Sequence, residues 1–251
     1  MTAGAAVPGP VGIERLLVVG TGSVTAAHLP FWASWLKMGQ PGVEVRYVLT
    51  GAATRFVTRE ALVAIGGCDV LEDRWPQEPE PRARHVDLAQ WPDAVVVLPA
   101  TLNYLARLAL GLGDSPSMLA LQCTQAAIAL APALPPGGVR SAAYEEHSAK
   151  LAGRHNVVVV PPHPGRSTTS GLREAWAPAS FPDVLAAADT LRAELATARE
   201  EPHQNRQGNQ HEQPQGNQQG SGPGKPQQEE QRQEEQRQEE QQEQERQRER
   251  A

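Results

Sequence analysis

"DAVVVLPATLNYLARLALGLGDS", Asp93 to Ser115, decides the architecture. Ala94 to Leu98 is an unbroken apolar run of strand length, rich in valine. Such a run suits a parallel strand covered on both faces, where no wet side demands alternation. Behind it "PATLN" is small and polar, and "TLNYLARLALGLG" then carries leucines at helical spacing. A buried strand ending in a polar turn at the start of a helix is one unit of an α/β fold.

The same unit recurs outward along the chain. "LLVVG", Leu16 to Gly20, is a strand followed by the helix pattern of "TGSVTAAHLPFWASWLKMGQ", with Pro30 where a first turn tolerates it. "VEVRYVLTGAATRFVT" reads as a strand and turn leading into the helix "TREALVAIGG". After Ser115, "SPSMLALQCTQ" reads as a helix, "AAIALAPAL" as a strand, "YEEHSAKLAGRHN" as an amphipathic helix and "VVVVPP" as a strand. "FPDVLAAADTLRAELATAREE" is the last helix. Strands alternating with helices predict a doubly wound, three-layer Rossmann-like (flavodoxin-like) fold around a central parallel sheet. Ligands of such folds sit outside the carboxyl ends of the strands. The polar clusters "GTGS", "TGAATRF", "PATLN", "PALPPGG" and "PPHPGRSTTSG" all fall there.

Composition divides the 251 residues into a flexible N-terminus over 1–14, one globular domain over 15–198 and a tail over 199–251. In the tail apolar residues almost vanish and "EEQRQ" repeats from Glu229 to Gln238. Such a segment buries too little apolar surface to offset its ordering entropy, so it is expected to be disordered. The formal charge is −6, most of it in the tail, and the domain shows no basic patch with interleaved aromatics, which argues against nucleic acid. Cys68 and Cys123 make neither a disulfide framework nor a metal spacing, as expected in a reducing cytoplasm. No HxxxH or CxxC spacing suggests a metal, no GxSxG elbow a serine hydrolase, and no apolar run reaches signal or membrane length.

"GTGS", Gly20 to Ser23, lets a backbone approach a phosphate at a helix start. It departs from GxGxxG, since Thr25 stands at the third glycine, so a plain dinucleotide site is weakly supported. Seven histidines are present, and a lone histidine is most often structural or exposed, so position must decide; His85 stands just before the central strand. His28 lies in the first helix pattern, His147 in the amphipathic one and His163 in the "PPHPG" loop.

These blocks together resemble the homo-oligomeric flavin-containing cysteine decarboxylase family, over about Leu16 to Leu172. "LLVVGTGSVTAAHLP" is similar to its first strand and phosphate turn, "VLTGAATRFVT" to its second block, and "HVDLAQWPDAVVVLPATLN" to its active histidine and following Pro-Ala-Ser-Ala-Asn-Thr motif. "LGLGDS" resembles the segment that closes the next helix. The resemblance implies FMN, with Gly22 and Ser23 at its phosphate, Thr50 and Phe56 beside the phosphate, ribitol or ring, and Thr101 and Asn103 at the flavin. Tyr104 stands where the family usually has Thr.

It implies that His85 is the base. A base takes the cysteine S–H proton as hydride leaves Cβ for the flavin; the thioaldehyde then accepts the electrons released with CO₂, giving an enethiol. It also implies homotrimers, or dodecamers built from them, with FMN between subunits.

The match departs at "PALPPGGV", where Leu134 replaces a Met and Pro135 the Asn that contacts the substrate carboxylate. Leu134, Arg166 and Ser167 are the substrate candidates, with Arg140 a further donor. "PPHPGRSTTSGL" lacks the cysteine of the phosphopantothenoylcysteine decarboxylases, and "APALPPGG" lacks the Arg-Glu pair of flavin prenyltransferases. The remaining branch acts on a precursor peptide with a C-terminal Cys in RiPP and lanthipeptide biosynthesis, where the enethiol forms an S-(2-aminovinyl)cysteine ring. Three alternatives stay open: a phosphopantothenoylcysteine decarboxylase-like enzyme, a non-catalytic flavin-binding regulatory protein with an acidic tail, and a nucleotide-binding Rossmann protein without flavin.

Overall fold

The computed structural model describes residues 9–208. Six parallel strands form one sheet: β1 (Arg15–Gly20), β2 (Glu44–Leu49), β3 (Asp69–Glu72), β4 (Ala94–Thr101), β5 (Ala127–Ala133) and β6 (Val157–Val159). Their order is β3-β2-β1-β4-β5-β6, so the winding reverses between β1 and β4. That reversal leaves a crevice at the carboxyl ends of these two strands. Val18 of β1 pairs with Tyr47 on one side and Val96 on the other, so β1 and β4 lie at the sheet centre.

Central position explains the apolar runs. Leu16 and Val18 enter one core layer and Leu17 and Val19 the other, and all four are fully buried. The first layer is closed by α1 (Leu29–Gly39), α2 (Arg59–Gly66) and α7 (Phe181–Gly208). The second is closed by α3 (Arg84–Gln90), α4 (Leu102–Ala109), α5 (Pro116–Cys123) and α6 (Ala142–Ala152). Trp32 of α1 stacks on Phe181 at 5.8 Å and Trp35 meets it edge-on at 6.1 Å, so both tryptophans belong to the α1–α7 seam. Phe31 is left 62 % exposed.

Local signals set the helix starts. Pro30 occupies the first turn of α1, where its missing N–H costs nothing. Thr58, Thr101, Ser115 and Ser141 accept from backbone N–H groups at the starts of α2, α4, α5 and α6. Gly67 ends α2 in the left-handed conformation at φ +65°, which a side chain would strain.

A hairpin, β7 (His163–Gly165) with antiparallel β8 (Ala175–Ala177), was not legible in the sequence, and His163 lies on it rather than in a loop. β3 and α3 were missed too. His28 ends a 3₁₀ turn, Val24–His28, and stands before α1 rather than inside it.

Two boundaries need correcting. The expected flexible N-terminus is tied down over 11–14: Val11 donates to Gln40 Oε1, Gly12 to Asp189, and Glu14 to Asp93 Oδ2 at 2.9 Å. Ile13 is 2 % exposed, which explains why the segment is held. At the other end α7 runs past Ala198 to Gly208, and the first compact unit of the chain extends to Asn205. The rest of the expected tail, 209–251, and residues 1–8 lie outside the described residues. Among the described residues no helix is long and apolar enough to cross a membrane, and no group of three His, Cys, Asp or Glu could hold a metal.

Candidate active site

The β1/β4 crevice is held by one buried hydroxyl. Thr21, 1 % exposed, donates from Oγ1 to the Pro99 carbonyl at 2.6 Å and accepts from the Thr101 N–H at 3.0 Å. Its oxygen also lies 3.2 Å from Thr101 Oγ1. The turn of "GTGS" is thereby joined to the turn of "PATLN", 80 residues away. Thr101 in turn caps α4 by accepting from Tyr104 N. Asn103 follows, exposed, on the first turn of that helix.

The β2 turn closes the other side. Thr50 N donates to the Gly20 carbonyl at 3.0 Å, and Thr50 Oγ1 accepts from Ala53 N. A Cβ on Gly22 would meet the Ala52 Cβ at 2.4 Å, so only glycine allows the two turns to touch. Ser23 stands at the start of the Val24–His28 turn without making a side-chain cap; its Oγ contacts Thr25 Oγ1 at 3.1 Å. Phe56 ends the short turn Ala53–Arg55 and is 42 % exposed, a free aromatic face on the rim. The six residues expected around the flavin thus fall at the carboxyl ends of β1, β2 and β4.

His85 is placed differently. It opens α3 and lines a cavity of about 730 Å³ with Arg15, Asp93, Cys123, Gln125 and Arg199. None of the six crevice residues lines that cavity. The imidazole meets the Trp75 ring edge-on at 5.6 Å. Trp75 Nε1 donates to the Asp114 carbonyl at 3.1 Å.

The segment after β3 is anchored to the start of α5. Asp73 accepts from Ser117 N, Ser117 Oγ and Ser115 Oγ, each at 2.8 Å. Ser117 also bonds Tyr104 Oη at 3.0 Å. Tyr104 is 1 % exposed, so it serves the α4–α5 packing and does not reach the crevice. Burial, aided by the Asp73 charge, pushes its phenol above the ordinary range. Arg107 pairs with Asp114 and holds that carboxyl below the usual carboxylate range.

The substrate expectations need correction. Leu134 is 4 % exposed, and its N–H and carbonyl both bond Trp176 of β8, at 2.9 and 3.0 Å. Ser167 is buried and accepts from Thr169 N and Ser170 N, so its hydroxyl builds the loop rather than facing it. Arg166, exposed, gives Nη1 to the Gly171 carbonyl. Arg140 is exposed and makes no side-chain bond among the described residues. Thr21, Asp73 and Trp75 were missed; the only sequence signals were the polar "T" inside "GTGS" and "EDRW" closing a short apolar run.

Residues 6–181 match the Flavoprotein family. A cypemycin cysteine dehydrogenase (decarboxylating) of Streptomyces sp is 33 % identical over 174 residues, 69 % of this chain and 90 % of the relative. The crystal structure of the cypemycin decarboxylase CypD superposes with a TM-score of 0.60 at 30 % identity, covering 74 % of this chain and 97 % of that one. The FMN-dependent cysteine decarboxylase SpaF superposes at 0.59 with 26 % identity, covering 71 % and 97 %.

Proposed function

Since the chain belongs to the Flavoprotein family, we propose that it catalyses FMN-dependent oxidative decarboxylation of the C-terminal cysteine of a ribosomal precursor peptide. The product is an enethiol, on the way to S-(2-aminovinyl)cysteine. The observation that carries this reading is the Thr21 bond between "GTGS" and "PATLN" at the strand-order reversal. It supports a single crevice with a phosphate end and a ring end, and cypemycin decarboxylase is found both among the relatives by sequence and among the similar structures.

The residues fit FMN. Gly22 lies tight on Ala52, so the backbone of this turn is bare of side chain, and the Ser23 hydroxyl, which caps no backbone N–H and shares a bond with Thr25, stands next to it. Gly22 and Ser23 would hold the phosphate, Thr50 and Phe56 the ribitol or ring, and Thr101 and Asn103 the ring. When bound, FMN supplies two-electron acceptance. The chain's task is then to hold the cysteine end dry and oriented and to remove one proton. His85 takes the thiol proton in this reading. It shares no cavity with the crevice of its own chain, which supports a site completed across a homotrimer contact, alone or within a dodecamer. Pro135 offers no amide to the peptide carboxylate, so an arginine takes that role; Arg140, close in sequence to the same turn and with no side-chain bond among the described residues, is the better placed of the two. Two free cysteines support a reducing, cytoplasmic setting.

The test is mass spectrometry of synthetic peptides ending in cysteine after incubation with the yellow protein. Loss of CO₂ and two hydrogens is expected. His85→Asn should lower turnover by about 10²–10⁴-fold with the flavin spectrum unchanged. A flavin-loaded protein that leaves every such peptide intact would favour the regulatory reading, with Pro135 as its reason.

A further inference from the structure

The segment between β3 and α3 carries a tryptophan that burial does not explain. Trp75 is 44 % exposed, and its ring makes no core contact among the two buried clusters. It is nevertheless fixed at both ends. Its indole N–H is committed to the Asp114 carbonyl at 3.1 Å, and its ring touches His85 at 5.6 Å with the planes 68° apart.

What holds the tryptophan is itself braced. Asp114 is paired with Arg107. The next residue but one before Trp75 is Asp73, whose carboxylate receives three hydrogen bonds from Ser115 and Ser117. On the other flank, Arg84 Nη1 donates to the Arg74 carbonyl at 3.1 Å, and Arg84 pairs with Glu80. Trp75 thus stands on a frame made from the ends of β3, α4 and α5. His85 has no such frame: no hydrogen bond to its ring exists among the described residues, and it sits at the first turn of a seven-residue helix without a side-chain cap. A free imidazole turns about two bonds, and a general base must present one nitrogen within about 3 Å of the proton it takes.

We propose that Trp75 is the positioning residue of His85: it limits the imidazole to orientations that present a nitrogen to the thiol. This rests on the assignment of His85 as base. The indole acts by contact alone, because its one polar atom is spent on Asp114. A flat aromatic surface is therefore the whole requirement, and phenylalanine supplies most of it.

The experiment compares wild type, Trp75→Ala, Trp75→Phe and His85→Asn, all flavin-loaded, on a synthetic peptide ending in cysteine, following flavin bleaching without oxygen in single turnovers. Trp75→Ala is expected to slow bleaching on the order of tenfold while half-saturation by peptide stays within about twofold, as misplacement of a catalytic group does. Trp75→Phe is expected to restore the rate to within about threefold. A separate signature is the ring-current displacement of the His85 ring-proton resonances, present in wild type and Trp75→Phe and lost in Trp75→Ala. An unchanged bleaching rate in Trp75→Ala, or a change confined to peptide half-saturation, overturns the proposal. So does a Trp75→Phe protein that keeps its flavin yet is as slow as Trp75→Ala. A His85→Asn protein that bleaches at the wild-type rate sinks the base assignment instead, which the alanine variant alone would not reveal.

Discussion

Replacing Thr21 by Val removes one oxygen and keeps the shape. In the native fold that oxygen serves two backbone groups, the Pro99 carbonyl at 2.6 Å and the Thr101 N–H at 3.0 Å. Leaving a buried polar group without its partner costs about 1–3 kcal/mol. Pro99 lies in a fully buried stretch of β4, so its carbonyl bears that cost, whereas Thr101 is half-buried and its N–H regains water in part. The expected loss is therefore about 2–3 kcal/mol, below the sum of two full penalties. With a urea slope of about 2 kcal/mol/M, the midpoint should fall by about 1–1.5 M. Tryptophan fluorescence during urea unfolding, at one protein concentration with and without FMN, measures it. Thr21→Ser keeps the oxygen and should lose no more than about 1 kcal/mol. A Thr21→Val protein within 0.5 kcal/mol of wild type, on the order of a surface change, would refute the view that this hydroxyl joins the two turns.

Gly22→Ala drives a methyl to 2.4 Å from the Ala52 Cβ; it should cost about 1–3 kcal/mol and strip the protein of its yellow colour, and adding Ala52→Gly should restore both in absorbance and thermal melts. Asp73→Asn turns an amide toward three donors and should destabilise the fold by about 1–3 kcal/mol in the same urea titration. Asp114 is ionised at a lower pH in the fold than in the unfolded chain, because Arg107 bonds it. Its contribution is therefore present above the ordinary carboxylate range and disappears as pH falls through the lowered value. Asp114 is exposed although Arg107 is mostly covered, so Asp114→Asn should cost under about 1 kcal/mol at neutral pH and nothing once the acid transition is passed, as urea midpoints across acid pH would show.

How much of this was legible depended on where each interaction partner lies in the chain. β1, β4 and β5 announce themselves as apolar runs because both faces are covered. β3, "DVLE", is an edge strand of four residues whose polar ends hide it, and its existence depends on pairing with Arg46 to Leu49. α3, "RHVDLAQ", is too short for periodicity to emerge, with Leu88 its one fully buried side chain. The tether at 11–14 could not be foreseen, since its acceptors are 79 and 177 residues away from Glu14 and Gly12. The polar clusters that close β1, β2 and β4 were legible one by one, whereas the individual flavin candidates came from the resemblance alone. The bond from Thr21 that joins two of these clusters was not legible, nor was the separate cavity around His85, because both arise from the strand order and not from neighbours in sequence.

The reversal of winding between β1 and β4 also divides the sheet into equal halves, three strands before the long 73–93 connection and three after it. That connection is exposed over Gln77 to Ala83. A chain cut there yields two fragments, one bearing "GTGS" and Thr50, the other "PATLN" and His85. The Thr21 bonds then become bonds between molecules, and the yellow colour of recovered flavin reports fragment complementation. The crevice is in this sense a natural split site: four of the residues proposed to hold the cofactor, Gly22, Ser23, Thr50 and Phe56, lie on one part, and Thr101 and Asn103 on the other.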